Sequence, residues 1–361
     1  MKICILGNGL SALVLARILA KKNIKVTIFC KKKKLQKKTP RTIGITNENV
    51  KFLSSKLEMG KTKGNPIKKI EIFKETDLKK EILSFKKENF DQFFIFEYYK
   101  IYNFFNKNIN QIKNLKVINT EYVKISDTFL KSYDLVIDTE LKNNFSKKYF
   151  FNKIEKKYMS KAYITVMKHE KTENNFAKQI FTKIGPLAYL PIDKERTSIV
   201  FSLSNKKYES YDKSEIKNLI KKYNTKYKIL GFEKFESSNL KFSLLRKYFY
   251  KNVLAFGDKL HTIHPLAGQG FNMTLRDIKI LVNLIDKYTL EGITTNSSIL
   301  REFENTTKYK NIIFASSIDF VHSFFIFQSY LPDIFSTNLF KLINRTKIIP
   351  NYGLKIADKG L

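Results

Sequence analysis

Two glycine-bearing stretches at opposite ends of the chain are suited to a flat, anionic ligand. Residues 256–277 read FGDKLHTIHPLAGQGFNMTLRD. The apolar run 252–256 is read as a buried strand, and Gly257-Asp258 places a carboxylate on a tight turn at its carboxyl end, where open α/β sheets receive ligands. The segment Ala267-Gly268-Gln269-Gly270 carries no bulky side chain except Gln269, so backbone can approach a planar group. Phe271, Leu275, Ile278, Leu281 and Val282 then follow at helical spacing, which turns a helix amino terminus toward the ligand. Free N–H groups and the positive end of the helix dipole suit a pyrophosphate or the partial negative charge of a reduced ring. The plainer alternative for Asp258 is a turn cap.

His261-x-x-His264 has the look of a metal pair, but the chain contains only four histidines, no cysteine stands near, and Pro265 fixes a loop. No metal is expected. An imidazole acting as a proton relay remains an alternative to hydrogen bonding within the turn. Arg276-Asp277 reads either as an ordinary surface pair on the helix or as part of the site.

The element that must complete a dinucleotide site lies at the other end. Residues 2–6 (KICIL) form a short buried strand running into Gly7-Asn8-Gly9-Leu10-Ser11-Ala12, a G-x-G-x-x-A pattern. Gly7 permits the tight turn, Gly9 lets backbone reach a pyrophosphate, and Ala12 allows a helix over 10–20 to pack closely on the sheet. Residues 24–29 supply the next strand. The acid expected at its end, for the ribose hydroxyls, is absent: Cys30 stands there, followed by Lys31 to Lys34.

These segments, and those between them, resemble the FAD-dependent hydroxylases of ubiquinone biosynthesis, a branch of the p-hydroxybenzoate hydroxylase type of flavoprotein monooxygenase. Pro40-Arg41-Thr42-Ile43-Gly44-Ile45-Thr46 stands where that family has an arginine-led strand, and Asn65-Pro66-Ile67 through Phe73 matches its first substrate-domain strand. Residues 181–191 (FTKIGPLAYLP) are close to F-T-x-x-G-P-L-A-L-L-P, and 256–277 follow G-D-A-A-H-x-x-H-P-x-A-G-Q-G-x-N-x-G-x-x-D almost throughout. Three departures stand out. Cys30 replaces the acid; Asp134-Leu135-Val136-Ile137-Asp138-Thr139-Glu140-Leu141 loses the Asp-Gly of D-L-V-I-G-A-D-G, with Lys147 or Lys148 for the arginine after it; and Lys259-Leu260 replaces two alanines.

The resemblance implies an α/β fold, a Rossmann-like FAD-binding domain interleaved with a mixed β-sheet substrate domain and carboxy-terminal helices. Residues 1–66, 85–155 and 246–361 are assigned to the first domain and 67–84 and 156–245 to the second. It further implies FAD as cofactor, NADH or NADPH as electron donor and O2 as co-substrate, with a flavin hydroperoxide hydroxylating a polyprenylated phenol. Gly7, Gly9, Ser11 and Ala12 are then expected at the pyrophosphate, with Arg41 as a flavin or pyrophosphate contact. Gly257 and Asp258 fall to ribityl or phosphate-linked hydroxyls. Pro265, Gly268, Gln269, Gly270 and Phe271 are expected around the ring, and Asn272 as a hydrogen-bond donor beside it. No protein side chain is assigned as acid or base. The alternative is a degenerate, flavin-binding or flavin-free relative acting as a non-catalytic subunit of a quinone-biosynthesis assembly.

Composition bounds these readings. The chain has 361 residues with 67 Lys and Arg against 33 Asp and Glu, a net charge of +34 spread as short runs. Spread charge is read as attraction to an anionic membrane surface or as compositional drift; no aromatic-interleaved or helix-turn-helix pattern supports nucleic acid. Lys31 to Lys38 is the densest run and reads as a solvated loop. Two cysteines exclude a disulfide framework, and no signal peptide is read before the first strand, so a cytoplasmic location is expected, peripheral on the membrane at most. No apolar run reaches the roughly 18 to 20 residues of a spanning helix. The Phe- and Ile-rich stretch 312–340 is read as core-packed helices in preference to a surface for membrane or partner.

Overall fold

The computed structural model describes residues 1–31, 36–59, 64–86, 91, 93–141, 143–204, 211–264, 269–292 and 297–328. The chain opens on a β-α-β unit: β1 (Lys2–Leu6), α1 (Leu10–Lys21) and β2 (Lys25–Cys30), with the strands parallel and Ile3 opposite Val26. α1 is apolar around most of its circumference because it is covered on both sides, by the sheet and by helices. β3 (Thr42–Thr46) then leads directly into α2 (Asn47–Leu57), whose first turn is capped by the Thr46 hydroxyl accepting from the Asn49 N–H. β4 (Asn65–Ile67) and β5 (Lys69–Lys74) follow, with β6 (Leu83–Lys86), β7 (Phe93–Glu97) and α3 (Tyr98–Asn106). The stretch 65–73, read as one strand, changes sheets at Lys68: β4 pairs with β7 and β5 with a different sheet.

β8 (Leu115–Asn119), α4 (Asp127–Lys131), β9 (Leu135–Asp138) and α5 (Asn144–Tyr149) precede the long strand β10 (Lys153–His169). β11 (Phe176–Thr182), β12 (Gly185–Pro191), β13 (Arg196–Ser204), α6 (Lys213–Tyr223), β14 (Ile229–Phe232) and β15 (Glu236–Leu245) complete a large sheet. β16 (Phe249–Tyr250), β17 (Val253–Ala255), β18 (His261–Thr262), α7 (Gly270–Leu290) and α8 (Ser297–Gln328) end the described chain.

Three sheets result among the described residues. β16-β17-β9-β1-β2-β8 is parallel except for β16; β3-β7-β4 is antiparallel; and β18-β15-β10-β13-β12-β11-β5-β6, with β14 also on β10, is mixed, its β11–β5 pair being parallel. The main apolar core lies between the parallel sheet and helices α1, α3 and α7; a second lies between the large sheet and α6. Arg196 at the start of β13 donates to Asp193 and, at 2.9 Å, to Glu97 at the end of β7, tying the large sheet to the three-stranded one. Within the 312–340 stretch, Ile313 and Phe320 of α8 are exposed while Phe314 and Ala315 are buried, so the greasy stretch is partly core and partly surface. Residues 329–340 of that stretch lie outside the described residues.

The motif 181–191 shows why its glycine is there. Gly185 has φ +133°, and a Cβ on it would lie 1.8 Å from the Ser202 carbonyl oxygen of the neighbouring strand. Gly185→Ala is therefore expected to destabilise the protein by about 2 to 4 kcal/mol, through backbone strain plus a steric clash that β13 must move to relieve. Urea unfolding followed by circular dichroism measures it; a midpoint equal to wild type refutes the assignment.

Candidate active site

A cavity of about 600 Å³ opens where the carboxyl ends of β1, β2 and β9 meet β3, the turn at 257–259 and the first turn of α7. Its far wall is apolar, formed by Ile164, Leu190 and Val200 of the large sheet. Cofactor pockets commonly enclose about 300 to 1,000 Å³ and sit at such boundaries.

The polar end is built by the G-x-G-x-x-A turn. Gly7 adopts φ +100°, and a Cβ there would come within 2.6 Å of Thr139 Oγ1, which donates to the Leu6 carbonyl at 2.7 Å. The Gly7 N–H itself donates to the Phe29 carbonyl. Gly9 caps α1 without a side-chain hydrogen bond, so the first-turn N–H groups of the helix remain directed at the cavity, the arrangement that binds phosphate oxygens. Gly257, at φ +67°, packs so tightly on Ser11 that a Cβ would lie 2.8 Å from Ser11 Oγ. The two glycine motifs, far apart in sequence, therefore touch, and Ala12 lies fully buried beside them.

Gly7, Gly9, Ser11, Arg41, Asp258, Gly270 and Phe271 all line this cavity. Asp258 is exposed at its lip. The Arg41 guanidinium lies 4.3 Å from the centre of the Tyr98 ring, a contact nothing in the sequence announces across that separation. Burial raises the Tyr98 hydroxyl, opposed by Arg41 and reinforced by Asp258. Cys30 is buried at the β2 end of the cavity, and Glu140 lies on the opposite strand end. Burial, with the neighbouring Asp138 charge, raises the Glu140 carboxyl above its ordinary value.

Other expected site residues are positioned differently. Asn272 is buried and holds elements together: its amide donates to the Gly44 carbonyl at 3.0 Å, and its oxygen accepts from the Thr46 N–H at 3.1 Å and from Asn49 at 3.0 Å. It thus braces β3 against α7 at the helix start, beside the cavity-lining Gly44. Gln269 is buried and accepts from Asn272. Pro265 and Gly268 lie outside the described residues. Asp277 is fully buried, 2.8 Å from His261 Nε2, so Arg276-Asp277 is not a surface pair. Among the described residues no cluster of three or more His, Cys, Asp or Glu is placed to hold a metal ion.

No family model matches the chain. Among curated proteins it is 33% identical over 93 residues to ubiquinone biosynthesis monooxygenase COQ6 of Dictyostelium discoideum, covering 26% of this chain and 18% of that protein. It is 27% identical over 189 residues to 3-demethoxyubiquinol 3-hydroxylase of Escherichia coli (strain K12), covering 50% and 47%. The chain thus matches less than half the length of these relatives. Among solved structures, p-nitrophenol 4-monooxygenase PnpA from Pseudomonas putida DLL-E4 superposes with TM-score 0.76 at 12% identity, over 98% of this chain and 96% of that one. PqsL from Pseudomonas aeruginosa, described as a probable FAD-dependent monooxygenase, gives TM-score 0.70 at 13% identity over 90% of this chain and 96% of that one.

The chain has the fold of the FAD-dependent monooxygenases. Its sequence is similar to the ubiquinone-biosynthesis hydroxylases among them. Against that fold's motifs, two of the three departures turn out to be one. Asp138, standing where the motif has its first glycine, is 0% exposed, and Lys259, standing for an alanine, is 4% exposed; the Lys259 ammonium forms an ion pair with Asp138. Asp138 also accepts from Asn143 at 3.0 Å, Ser146 Oγ at 2.8 Å and the Glu140 N–H at 3.1 Å. Burial pulls the Lys259 ammonium below its ordinary value, and Asp138 pushes it back up. Thr139 and Glu140, which the sequence reading did not single out for the site, gain their places in the cavity from this anchor. Their signal was the motif position itself, at the carboxyl end of a parallel strand.

Removing one partner of a buried ion pair leaves an uncompensated charge. Lys259→Ala is expected to cost about 3 to 5 kcal/mol, and the double variant Asp138→Gly/Lys259→Ala to recover most of that loss. A double-mutant cycle in urea measures the coupling; additive single effects would show that the pair is not formed.

Proposed function

We propose that this chain is an FAD-dependent monooxygenase that hydroxylates the aromatic ring of a polyprenylated phenol in ubiquinone biosynthesis. The observation that carries the reading is the cavity itself, in which a phosphate-binding turn, an acid on a tight turn and an apolar sheet face converge. The residues fit the cofactor on structural grounds: the Gly7 turn has no room for a Cβ, and the first-turn N–H groups of α1 have no side-chain cap. Gly7, Gly9, Ser11 and the α1 amino terminus would hold the pyrophosphate, with Arg41 adding positive charge. Asp258 would accept hydrogen bonds from sugar or ribityl hydroxyls. Bound there, FAD supplies activation of O2 for transfer of one oxygen atom to an electron-rich ring, after reduction by NADH or NADPH.

The protein's own part is placement and shielding. Ile43, Gly44 and Phe271 give a flat, largely apolar surface on one side, and Ile164, Leu190 and Val200 close the other, where an electron-rich ring with an apolar tail is favoured and water is excluded. Asn272 and Asn49 keep β3 and α7 in register so that this slot has a fixed width. The exposed Tyr309, Ile313 and Phe320 of α8, on a chain of net charge +34, support peripheral contact with an anionic membrane that stores such a substrate. Among the described residues no helix is long and apolar enough to cross a membrane.

The purified protein is expected to carry FAD at close to one per chain, and its absorbance to bleach under NADH or NADPH without oxygen. Asp258→Ala should weaken FAD binding about 10- to 100-fold, the loss of one to two charge-assisted hydrogen bonds. A colourless protein that FAD cannot reconstitute overturns the proposal, and full flavin occupancy in Asp258→Ala overturns the role given to that carboxylate.

A further inference from the structure

The large sheet has a second cavity, about 420 Å³, bordered by β5, β11, β12 and the segment after α6. It opens on the face opposite the proposed nucleotide site, because Tyr189 lines this cavity and its neighbour Leu190 lines the other, and successive strand residues point to opposite faces. Strand register sets its floor: Glu71 lies beside Lys178 and Lys178 beside Tyr189, forming one row across three strands.

Lys178 is half-buried. Its ammonium donates to Thr225 Oγ1 at 2.8 Å and lies 4.2 Å from the centre of the Phe73 ring. Desolvation pulls its pKa below the ordinary lysine value. Lys226 stands at the exposed mouth, 6.0 Å from the Phe176 ring. Among the described residues neither lysine has a carboxylate within ion-pair distance. The two acids at the cavity lie beyond ion-pair distance: Glu71 pairs with Lys69 at 3.2 Å, Glu173 accepts from Asn175 at 2.6 Å, and at longer range Glu71 opposes the desolvation of Lys178, and both acids that of Lys226. Two ammonium groups without carboxylate partners therefore flank a pocket lined by aromatic rings. A ligand with a negative group would offset the desolvation of Lys178, and a ring on that ligand would find the exposed Phe176 to stack against.

We propose that this cavity is a second binding site, taking a small aromatic anion whose charged group is held by Lys178 and Lys226 and whose ring lies against Phe176, the exposed aromatic of its lining. The inference stands independently of the flavin reading, since it uses no residue of the nucleotide cavity. β12 is common to both cavities, so occupancy here would stiffen one wall of the other.

The test uses the full-length protein and three probes: phenyl phosphate, inorganic phosphate and phenol. Acetylation of lysines by an activated ester, read by peptide mass spectrometry, reports access to each amine. Phenyl phosphate is expected to slow acetylation of Lys178 and Lys226 about fivefold at near-saturating concentration, with Lys279, half-buried elsewhere, unchanged. Phosphate and phenol, each lacking one half of the recognition, should protect far less. By calorimetry, Lys226→Gln should weaken phenyl phosphate binding about tenfold, the loss of one charge-assisted contact; this mouth residue is exposed, so the variant does not endanger the fold. Lys178→Gln should do the same. Unchanged acetylation of both lysines, protection by inorganic phosphate equal to that by phenyl phosphate, or full affinity in Lys226→Gln would each overturn the proposal.

Discussion

A carboxylate with no access to solvent sits at the carboxyl end of β9, and the shape of the candidate site follows from how that charge is satisfied. Asp138 collects the Lys259 ammonium, the Ser146 hydroxyl, the Asn143 amide and the Glu140 N–H. These partners come from the loop after β9, the start of α5 and the turn at 257–259, three segments with no other reason to share a fixed geometry. A buried ion pair is a weak source of net stability, because desolvation of both ions opposes their attraction. Its stronger effect is on arrangement. An unsatisfied carboxylate at that depth would cost several kcal/mol, so conformations that displace Lys259 or Ser146 are disfavoured. The turn bearing Asp258 is held as a consequence, although Asp258 itself is exposed.

The same anchor explains how a chain can depart from a motif while keeping its fold. A glycine and an alanine in facing positions leave a small apolar contact; an aspartate and a lysine fill the same gap with two charges that require each other. Either substitution alone would be strongly unfavourable, which is why they are understood as one change. Cys30 differs in kind. It lies at the β2 end of the cavity and packs into the main core as a small apolar residue. The ribose end of the proposed site thus has no carboxylate on that strand, and the acidic groups among the cavity's lining residues are Glu140, after β9, and Asp258, on the 257–259 turn.

Much of this architecture was legible in the sequence because its determinants are local. Gly7 is required by a left-handed turn between a strand and a helix four residues apart, and the apolar strand before Gly257 announces a second strand end in the same sheet. The helix over 10–20 and the strand over 24–29 follow from periodicity in the same way. What was not legible depends on residues brought together by topology. Lys259 and Asp138, Arg41 and Tyr98, and His261 and Asp277 each meet across a chain separation that no pattern encodes. Asn272 reads as a hydrogen-bond donor because it opens a helix beside glycines, but its buried partners Gly44, Thr46 and Asn49 lie far upstream, where no pattern announces them. The break between β4 and β5 was hidden because each three- to six-residue run alternates acceptably on its own, while their different partners appear only after β7 and β11 have folded.

The division of chemistry across the cavity follows from the same separation of local and non-local effects. Its polar end is framed by backbone, N–H groups at a helix start and two glycines, Gly7 and Gly257, where a Cβ has no room, each encoded within a few residues. Its apolar end consists of side chains from β10, β12 and β13, each obliged only to be apolar on one face. Backbone geometry tolerates little substitution, whereas Ile164, Leu190 and Val200 can be exchanged for other apolar side chains at modest cost. In a site built in this way the backbone end admits fewer substitutions than the apolar wall. For the ring substrates proposed above, discrimination would come from the few wall positions where a single methyl group changes the slot's width, each worth only about 1 to 3 kcal/mol in an apolar pocket.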